Sequence, residues 1–333
     1  MSSERITLAH GNGGRLMREL IEGIFARHLG NPALDTERDA AELAWPSGRL
    51  MFTTDGFTVQ PLEFPGGSIG SLAVHGVVND LAVSGARARY LSVAVLLEEG
   101  LELALLERIV MDLAAAARAC GVRVVAGDTK VVRRGEGGGI YLTLSAIGEA
   151  WPGPALGMAA IRPGDAVLVS GAVGDHGAAV MLAREQFGLR GGLRSDSASV
   201  LPLAEAAMRF DGLRFMRDPT RGGLATVMHE IAAATGLGVR LSESAIPVRQ
   251  AVAGVCELLG FDPLFLACEG RVVAVVDHAQ ADAVLEAWRG LAEGQEAARI
   301  GCVVSAPHGL VLATELGERM VQELEDDPLP RIC

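Results

Sequence analysis

Two series of strand-like and helix-like runs are separated by a proline- and glycine-rich break, Ala150-Trp-Pro-Gly-Pro154 to Arg162-Pro-Gly-Asp165, and this division limits the fold more than any other feature. Before the break, a strand-like run at Leu50–Thr54 ends in Asp55-Gly56, and a helical pattern covers Ile69 to Ser84. A strand at Tyr90–Leu97, a helix from Glu102 to Cys120, a strand ending at Asp128 and another from Ile140 to Ile147 follow. After the break, a strand at Ala166–Ser170 leads through Gly171-Ala-Val-Gly-Asp175-His-Gly177 into a helix reaching Phe187. Further helices are expected near Ser199–Arg209, Gly223–Thr235, Arg249–Leu259 and Ala279–Leu291, with strands near Val272–Val276, Arg299–Val304 and Leu310–Ala313. The crossovers differ in length. That favours an α+β chain of two α/β-sandwich domains over a doubly wound sheet. The expected divisions are residues 1–150, 151–315 and a tail over 316–333.

Composition narrows the partners. Hydrophobic residues at 50% and charged residues at 21% describe a globular protein. Aromatics make up 4% while glycine reaches 42 residues, so the core must be built from Ala, Val and Leu around many tight turns. With 29 basic against 41 acidic residues, the net charge of −12 argues against a nucleic-acid or anionic-membrane surface. No run approaches ~18 uninterrupted apolar residues. Met1-Ser-Ser-Glu-Arg5 lacks the order of a secretory signal, so a cytoplasmic location is expected. The glycine-rich segments of the first half do not follow a strand as G-x-G-x-x-G, and no P-loop pattern occurs.

Of the 29 lysine and arginine residues only one, Lys130, is lysine. A position that keeps lysine in such a chain points to a compact charge where a guanidinium fork does not fit. Lys130 closes Ala126-Gly-Asp-Thr-Lys130, beside Asp128 and Thr129. Asp55, Asp80 and Asp218 also sit at strand ends or polar turns. Carboxylates converging from such positions, with a lysine beside them, suit Mg²⁺ bridging nucleotide phosphates. His10-Gly-Asn-Gly-Gly14 runs into an amphipathic helix, and the backbone N–H groups of Gly11, Gly13 and Gly14 form a possible anion site.

Five cysteines with no C-x-x-C spacing argue against a zinc site or a disulfide framework. Cys120, Cys256, Cys268 and Cys302 lie in or beside apolar runs and read as small core residues. Cys333 ends the sequence after Glu325-Asp-Asp-Pro-Leu-Pro-Arg-Ile, which has no periodicity and reads as an extended, polyproline-like, flexible tail. Ten residues beyond Glu323, at ~3.3–3.6 Å each, its thiol would reach on the order of 30 Å.

Taken together, His10-Gly-x-Gly-Gly14, Phe64-Pro-Gly-Gly67, Asn79-Asp-Leu-Ala-Val-Ser-Gly85, Leu97-Glu-Glu-Gly100, Gly127-Asp-Thr-Lys-Val-Val132, Gly174-Asp-His-Gly177, Arg217-Asp-x-Thr-Arg-Gly-Gly223, Glu269-Gly270 and Pro330-Arg-Ile-Cys333 resemble the HypE family of hydrogenase maturation factors, carbamoyl dehydratases. The resemblance implies the fold of aminoimidazole ribonucleotide synthetase and selenophosphate synthetase. It also implies a homodimer that pairs its N-terminal sheets, with ATP and Mg²⁺ near the interface. Cys333 would take a carbamoyl group from the carbamoyltransferase HypF, and ATP-dependent dehydration would give a thiocyanate for iron on a HypC–HypD complex.

That chemistry assigns roles. Phosphorylating the thiocarbamate oxygen turns a poor leaving group into phosphate, and loss of the nitrogen protons gives S–C≡N. Asp55, Asp80, Asp128 and Asp218 would hold the metal. Gly11, Gly13, Gly14, Asn79, Thr129 and Lys130 would bind nucleotide, with Lys130 steadying charge. Glu269 is the first choice of base, with His176 second. Two rivals remain at this point: a small-molecule kinase or synthetase of the same superfamily, selenophosphate synthetase-like, and a non-catalytic thiocarbamate carrier.

Overall fold

The computed structural model describes residues 5–11, 14–34, 45, 48–185, 192–324 and 332–333. The first sheet contains β1 (Leu50–Phe57), β2 (Ala86–Glu98), β3 (Arg123–Val132) and β4 (Ile140–Ala150), in the order β1-β4-β2-β3. β4 runs antiparallel to both β1 and β2, while β2 and β3 are parallel and joined through a helix. One face of the sheet is covered by α2 (Ile69–Val83) and α3 (Leu103–Ala119), after a short α1 (Gly14–Leu20). Exposure alternates along β1, as period-2 patterning on a half-covered sheet requires. Ser68 Oγ donates to Asp112 Oδ2 at 2.6 Å and ties the start of α2 to α3.

The second half holds α4 (Asp175–Glu185), α5 (Leu201–Ala207), α6 (Gly223–Thr235), α7 (Gln250–Leu259) and α8 (Ala281–Arg289). Its strands are β5 (Ala166–Val169), β6 (Leu213–Arg217), β7 (Gly238–Ser242), β8 (Val273–Val276), β9 (Ala298–Val304), β10 (Gly309–Thr314) and β11 (Gly317–Val321). Their order is β11-β10-β7-β9-β5-β8-β6. Among the described residues of this sheet, only β7 and β10 pair in parallel. The α+β class therefore holds in both halves.

Three expectations need correction. β11 pairs with β10 from Leu310 against Val321 to Thr314 against Gly317, so the second sheet runs past residue 315 and the tail begins after Val321. Asp55 and Asp128 lie inside β1 and β3 and not beyond their ends. The tail is not free at its tip, because Ile332 is 2% exposed; residues 325–331, including the two prolines, lie outside the described residues. The physical reason is common to all three: backbone pairing and apolar burial extend beyond the point where polar or glycine residues interrupt the pattern.

The halves share their cores. α4, α7 and Ile332 join the apolar cluster under the first sheet. Ala82 and Val83, at the end of α2, pack with one face of the second sheet. The functional side chains collect along this seam.

Candidate active site

Four acids converge at the seam. Asp55 projects to the helix-covered side of β1, and Asp80 lies on α2, where Thr53 Oγ1 donates to its Oδ2 at 2.8 Å. Asp218 follows β6, and Glu269 precedes β8. Asp80, Asp218 and Glu269 each feel the charge of others in the set. Burial, then Asp80, pushes the Asp218 carboxyl up to about 7. Burial and the neighbouring acids hold Glu269 well above the usual carboxylate range, and its Oε1 has no hydrogen-bond partner.

Glu269 is held by its backbone. Its N–H donates to Asp196 Oδ1 at 3.1 Å, and its carbonyl accepts from Asn79 Nδ2 at 3.3 Å. A Cβ on Gly270 would lie 1.9 Å from the Asp196 carbonyl oxygen, so only glycine lets the two loops approach this closely. Asn79, expected to bind nucleotide, instead uses its amide within the chain. Nδ2 also donates to the Ala198 carbonyl at 3.0 Å, and Oδ1 accepts from Val200 N–H at 2.8 Å.

The 192–200 segment is the part of the site that sequence reasoning missed. Besides Asp196, it supplies Ser197, whose Oγ meets His75 Nδ1 at 3.1 Å, and Ser195, whose Oγ meets His176 Nδ1 at 2.7 Å. Burial lowers His75 to about 4, so that ring is neutral near pH 7. The signal was present in Ser195-Asp-Ser-Ala-Ser199, a run too polar for a helix interior. Arg271 was also missed. It lies between buried Asp175, 3.4 Å from Nη2, and Asp196, 3.5 Å from Nε. Arg249 adds a 2.8 Å ion pair to Asp175, whose carboxyl burial pushes up to about 6.

His176 is fully buried. Its Nε2 lies 2.8 Å from the Ile332 carbonyl oxygen, and Phe64 meets its ring edge-on at 5.4 Å. Because a carbonyl only accepts, Nε2 carries the proton. Cys333, partly buried, has its backbone oxygen 3.2 Å from Thr58 N and 3.3 Å from Thr58 Oγ1. Thr58 directly follows the end of β1, three residues beyond Asp55. The last residues thus rest against the end of the strand that carries one of the acids.

Asp128, Thr129 and Lys130 do not join that cluster. Asp128 aligns with Ala94, Thr143 and Gly56 across the sheet, which puts it on β3, the edge opposite β1. At ~4.8 Å per strand the two edges are roughly 14 Å apart. Asp128 and Lys130 also face outward, where Nζ and Oδ1 pair at 3.3 Å, whereas Asp55 faces inward. The expected four-aspartate metal set is therefore not assembled within one chain. Gly11 lies beside this edge, where a Cβ would meet Val131 N at 2.6 Å. Gly14 begins α1, and Gly13 lies outside the described residues. Among the described residues, no group of three or more His, Cys, Asp or Glu is placed to hold a metal by itself. Asp55, Asp80 and Asp218, the last two of which feel the charge of the first, suit instead a cation that also takes phosphate oxygens, and the unpartnered Glu269 Oε1 is left for another role.

The N-terminal domain model of AIR synthase related proteins matches residues 37–150, and the C-terminal domain model matches 162–312. Carbamoyl dehydratase HypE of Azotobacter vinelandii is 47% identical over 331 residues, covering 98% of this chain and 97% of that protein. The chain belongs to the HypE family of carbamoyl dehydratases. A crystal structure of the hydrogenase maturation protein HypE in complex with ATP superposes with a TM-score of 0.93 at 43% identity, covering 98% of this chain and 99% of that one. HypE in a crystal structure of a HypE–HypF complex superposes with a TM-score of 0.80 at 41% identity, covering 93% and 99%. Family membership agrees with the α+β reading and with two domains of the AIR synthase type. No helix among the described residues is long and apolar enough to cross a membrane.

Proposed function

We propose that this chain dehydrates a carbamoyl group carried on Cys333, at the expense of ATP, to a thiocyanate that supplies a cyanide ligand for a nickel–iron hydrogenase. The observation that carries the reading is the docked Ile332-Cys333 end, held by His176 and Thr58 next to the strand bearing Asp55. A carrier that only displayed its thiol would have no use for a buried seat beside an acid cluster. A superfamily kinase acting on a free small molecule would have no use for the cysteine there.

The overall change is S–C(=O)–NH₂ plus ATP giving S–C≡N, ADP and phosphate. The carbamoyl oxygen leaves on phosphate, and both nitrogen protons are released. Glu269, as carboxylate, is the base, since burial makes it a stronger proton acceptor than a solvated glutamate. Its backbone anchors at Asp196 and Asn79 keep the carboxyl from turning away. His176 is not the base in this arrangement, because Nε2 already donates and Nδ1 accepts from Ser195. Mg²⁺, when bound among Asp55, Asp80 and Asp218 with nucleotide phosphates, supplies charge neutralisation. Thr129 and the Gly11–Gly14 segment belong to the nucleotide side, with Asp128 and Lys130.

A homodimer reconciles the two groups of residues. β1 and β3 are the edges of the first sheet, 8 and 10 residues long, and Leu50 and Phe52 stand 53% and 61% exposed on its outer face. Edges and apolar side chains of this kind invite a second copy. Pairing β3 of one copy beside β1 of the other would carry Lys130 toward the acids. HypF as carbamoyl donor, a HypC–HypD complex as acceptor of the cyano group and a cytoplasmic location complete the reading. The test measures phosphate release from ATP by carbamoylated protein, intact or truncated before Pro328. Release only from the intact chain supports the dehydratase; equal release from both supports a small-molecule kinase; no release from either supports a carrier.

A further inference from the structure

We infer that His176, oriented by Ser195, is a positioning residue that seats the chain's own last two residues by the carbonyl of Ile332, with the Ile332 side chain as the anchor. The inference rests on the reading of Cys333 as the carbamoyl-bearing thiol and adds how that thiol is placed.

The geometry leaves the imidazole one arrangement. The Ile332 carbonyl can only accept, so the 2.8 Å contact requires a proton on Nε2. Nδ1 is then an acceptor for the Ser195 hydroxyl at 2.7 Å. Ser195 Oγ in turn accepts from the Ser197 N–H at 3.0 Å, which leaves its own proton for Nδ1. The serines therefore set the tautomer. Phe64, edge-on at 90°, fixes the ring plane. Gly66 brings the Phe64 turn onto the same segment, since Ser195 N–H donates to the Pro65 carbonyl at 2.7 Å.

The ligand side is equally defined. Ile332, 2% exposed, enters the same apolar cluster as Phe64, Ala178 and Leu266. The Cys333 backbone oxygen accepts from Thr58 N–H and Oγ1. The backbone oxygens of two successive residues are thus held by the two halves of the chain, by the second through His176 and by the first through Thr58. Such a seat recognises a short extended peptide with a branched apolar residue before its cysteine. It restricts where the sulfur lies through the backbone on either side of it.

The experiment uses the full-length protein and site-resolved maleimide labelling of Cys333, with Cys120 and Cys302 as internal references, alongside steady-state dehydration kinetics. The variants are His176→Leu, His176→Gln, which retains a side-chain N–H donor, and Ile332→Ala. The expected result for His176→Leu is labelling of Cys333 at least fivefold faster with the reference cysteines unchanged. Dehydration kcat falls at least tenfold while KM for ATP stays within twofold, and His176→Gln recovers part of both. Ile332→Ala, which leaves the body of the fold untouched, shows the same two changes and keeps the test open if His176→Leu fails to fold. Unchanged Cys333 labelling in Ile332→Ala and in any folded His176 variant overturns the inference. If labelling responds as stated but carbamoylated wild-type protein forms no thiocyanate, the seat stands and the acceptor reading falls.

Discussion

The side-chain amide of Asn79, on a helix of the first domain, donates to the carbonyl of Glu269, on a loop of the second, at 3.3 Å. With its further bonds to Ala198 and Val200, this one buried residue joins both domains and the serine-rich segment. Asn79→Ala removes the partner of the Ala198 carbonyl and of the Val200 N–H in a dry site, at a cost of ~2–3 kcal/mol. Urea unfolding should show that loss, and turnover should fall because Glu269 is displaced. Nucleotide affinity by calorimetric titration should stay within about twofold. A large loss of nucleotide affinity with unchanged stability would return Asn79 to the nucleotide.

Asp218 makes the site unstable by design. Its carboxyl is pushed from 3.8 up to about 7, so the folded chain favours the protonated form. That contribution to stability is complete below about pH 4 and is lost as pH rises through 7, on the order of 4 kcal/mol at full linkage. Asp218→Asn should therefore raise Tm at pH 8 by about 3–8 °C, flatten part of the decline in stability between pH 4 and 7, and abolish most turnover. Calorimetry across that pH range checks it. A lower Tm at pH 8 would show that the charge is compensated in the resting chain.

Glu269→Gln removes the proposed proton acceptor while keeping its shape. Turnover should fall by roughly 10²-fold or more, with ATP binding retained and stability at pH 8 no lower than wild type. Near-normal turnover would transfer the role of base elsewhere.

Lys130 is exposed and pairs with Asp128, an exposed pair that adds little stability. Lys130→Arg should leave unfolding within ~0.5 kcal/mol of wild type and the dimer intact, yet reduce turnover on the order of tenfold. Full activity would remove the argument from the single lysine. Sedimentation and steady-state kinetics on one preparation supply both readings.

The long helices were legible because their apolar periodicity is continuous: expectation and structure agree to a residue or so for Ile69–Val83, and Gly223–Thr235 has the same ends in both. The individual acids were legible too, but their grouping was not. Asp128 and Asp55 differ in sheet edge and in sheet face, and only strand order and register decide that. Leu213–Arg217, Gly238–Ser242 and Gly317–Val321 went unrecognised as strands because five residues carrying arginines or glycine do not show period-2 patterning by themselves. His176 was noticed as a base and not as a seat. Its partner, the Ile332 carbonyl, is a backbone group that no side-chain pattern announces.

The central claim is that the sulfur of Cys333 carries the group that is dehydrated. The direct measurement is mass spectrometry of the carboxy-terminal peptide from carbamoylated full-length protein, before and after incubation with ATP and Mg²⁺. The account predicts that the modification on Cys333 loses the mass of one water, and that Cys333→Ala protein binds nucleotide yet carries neither species. A carbamoyl group that persists on Cys333 while ATP is consumed, or a dehydrated group found on another residue, would contradict it.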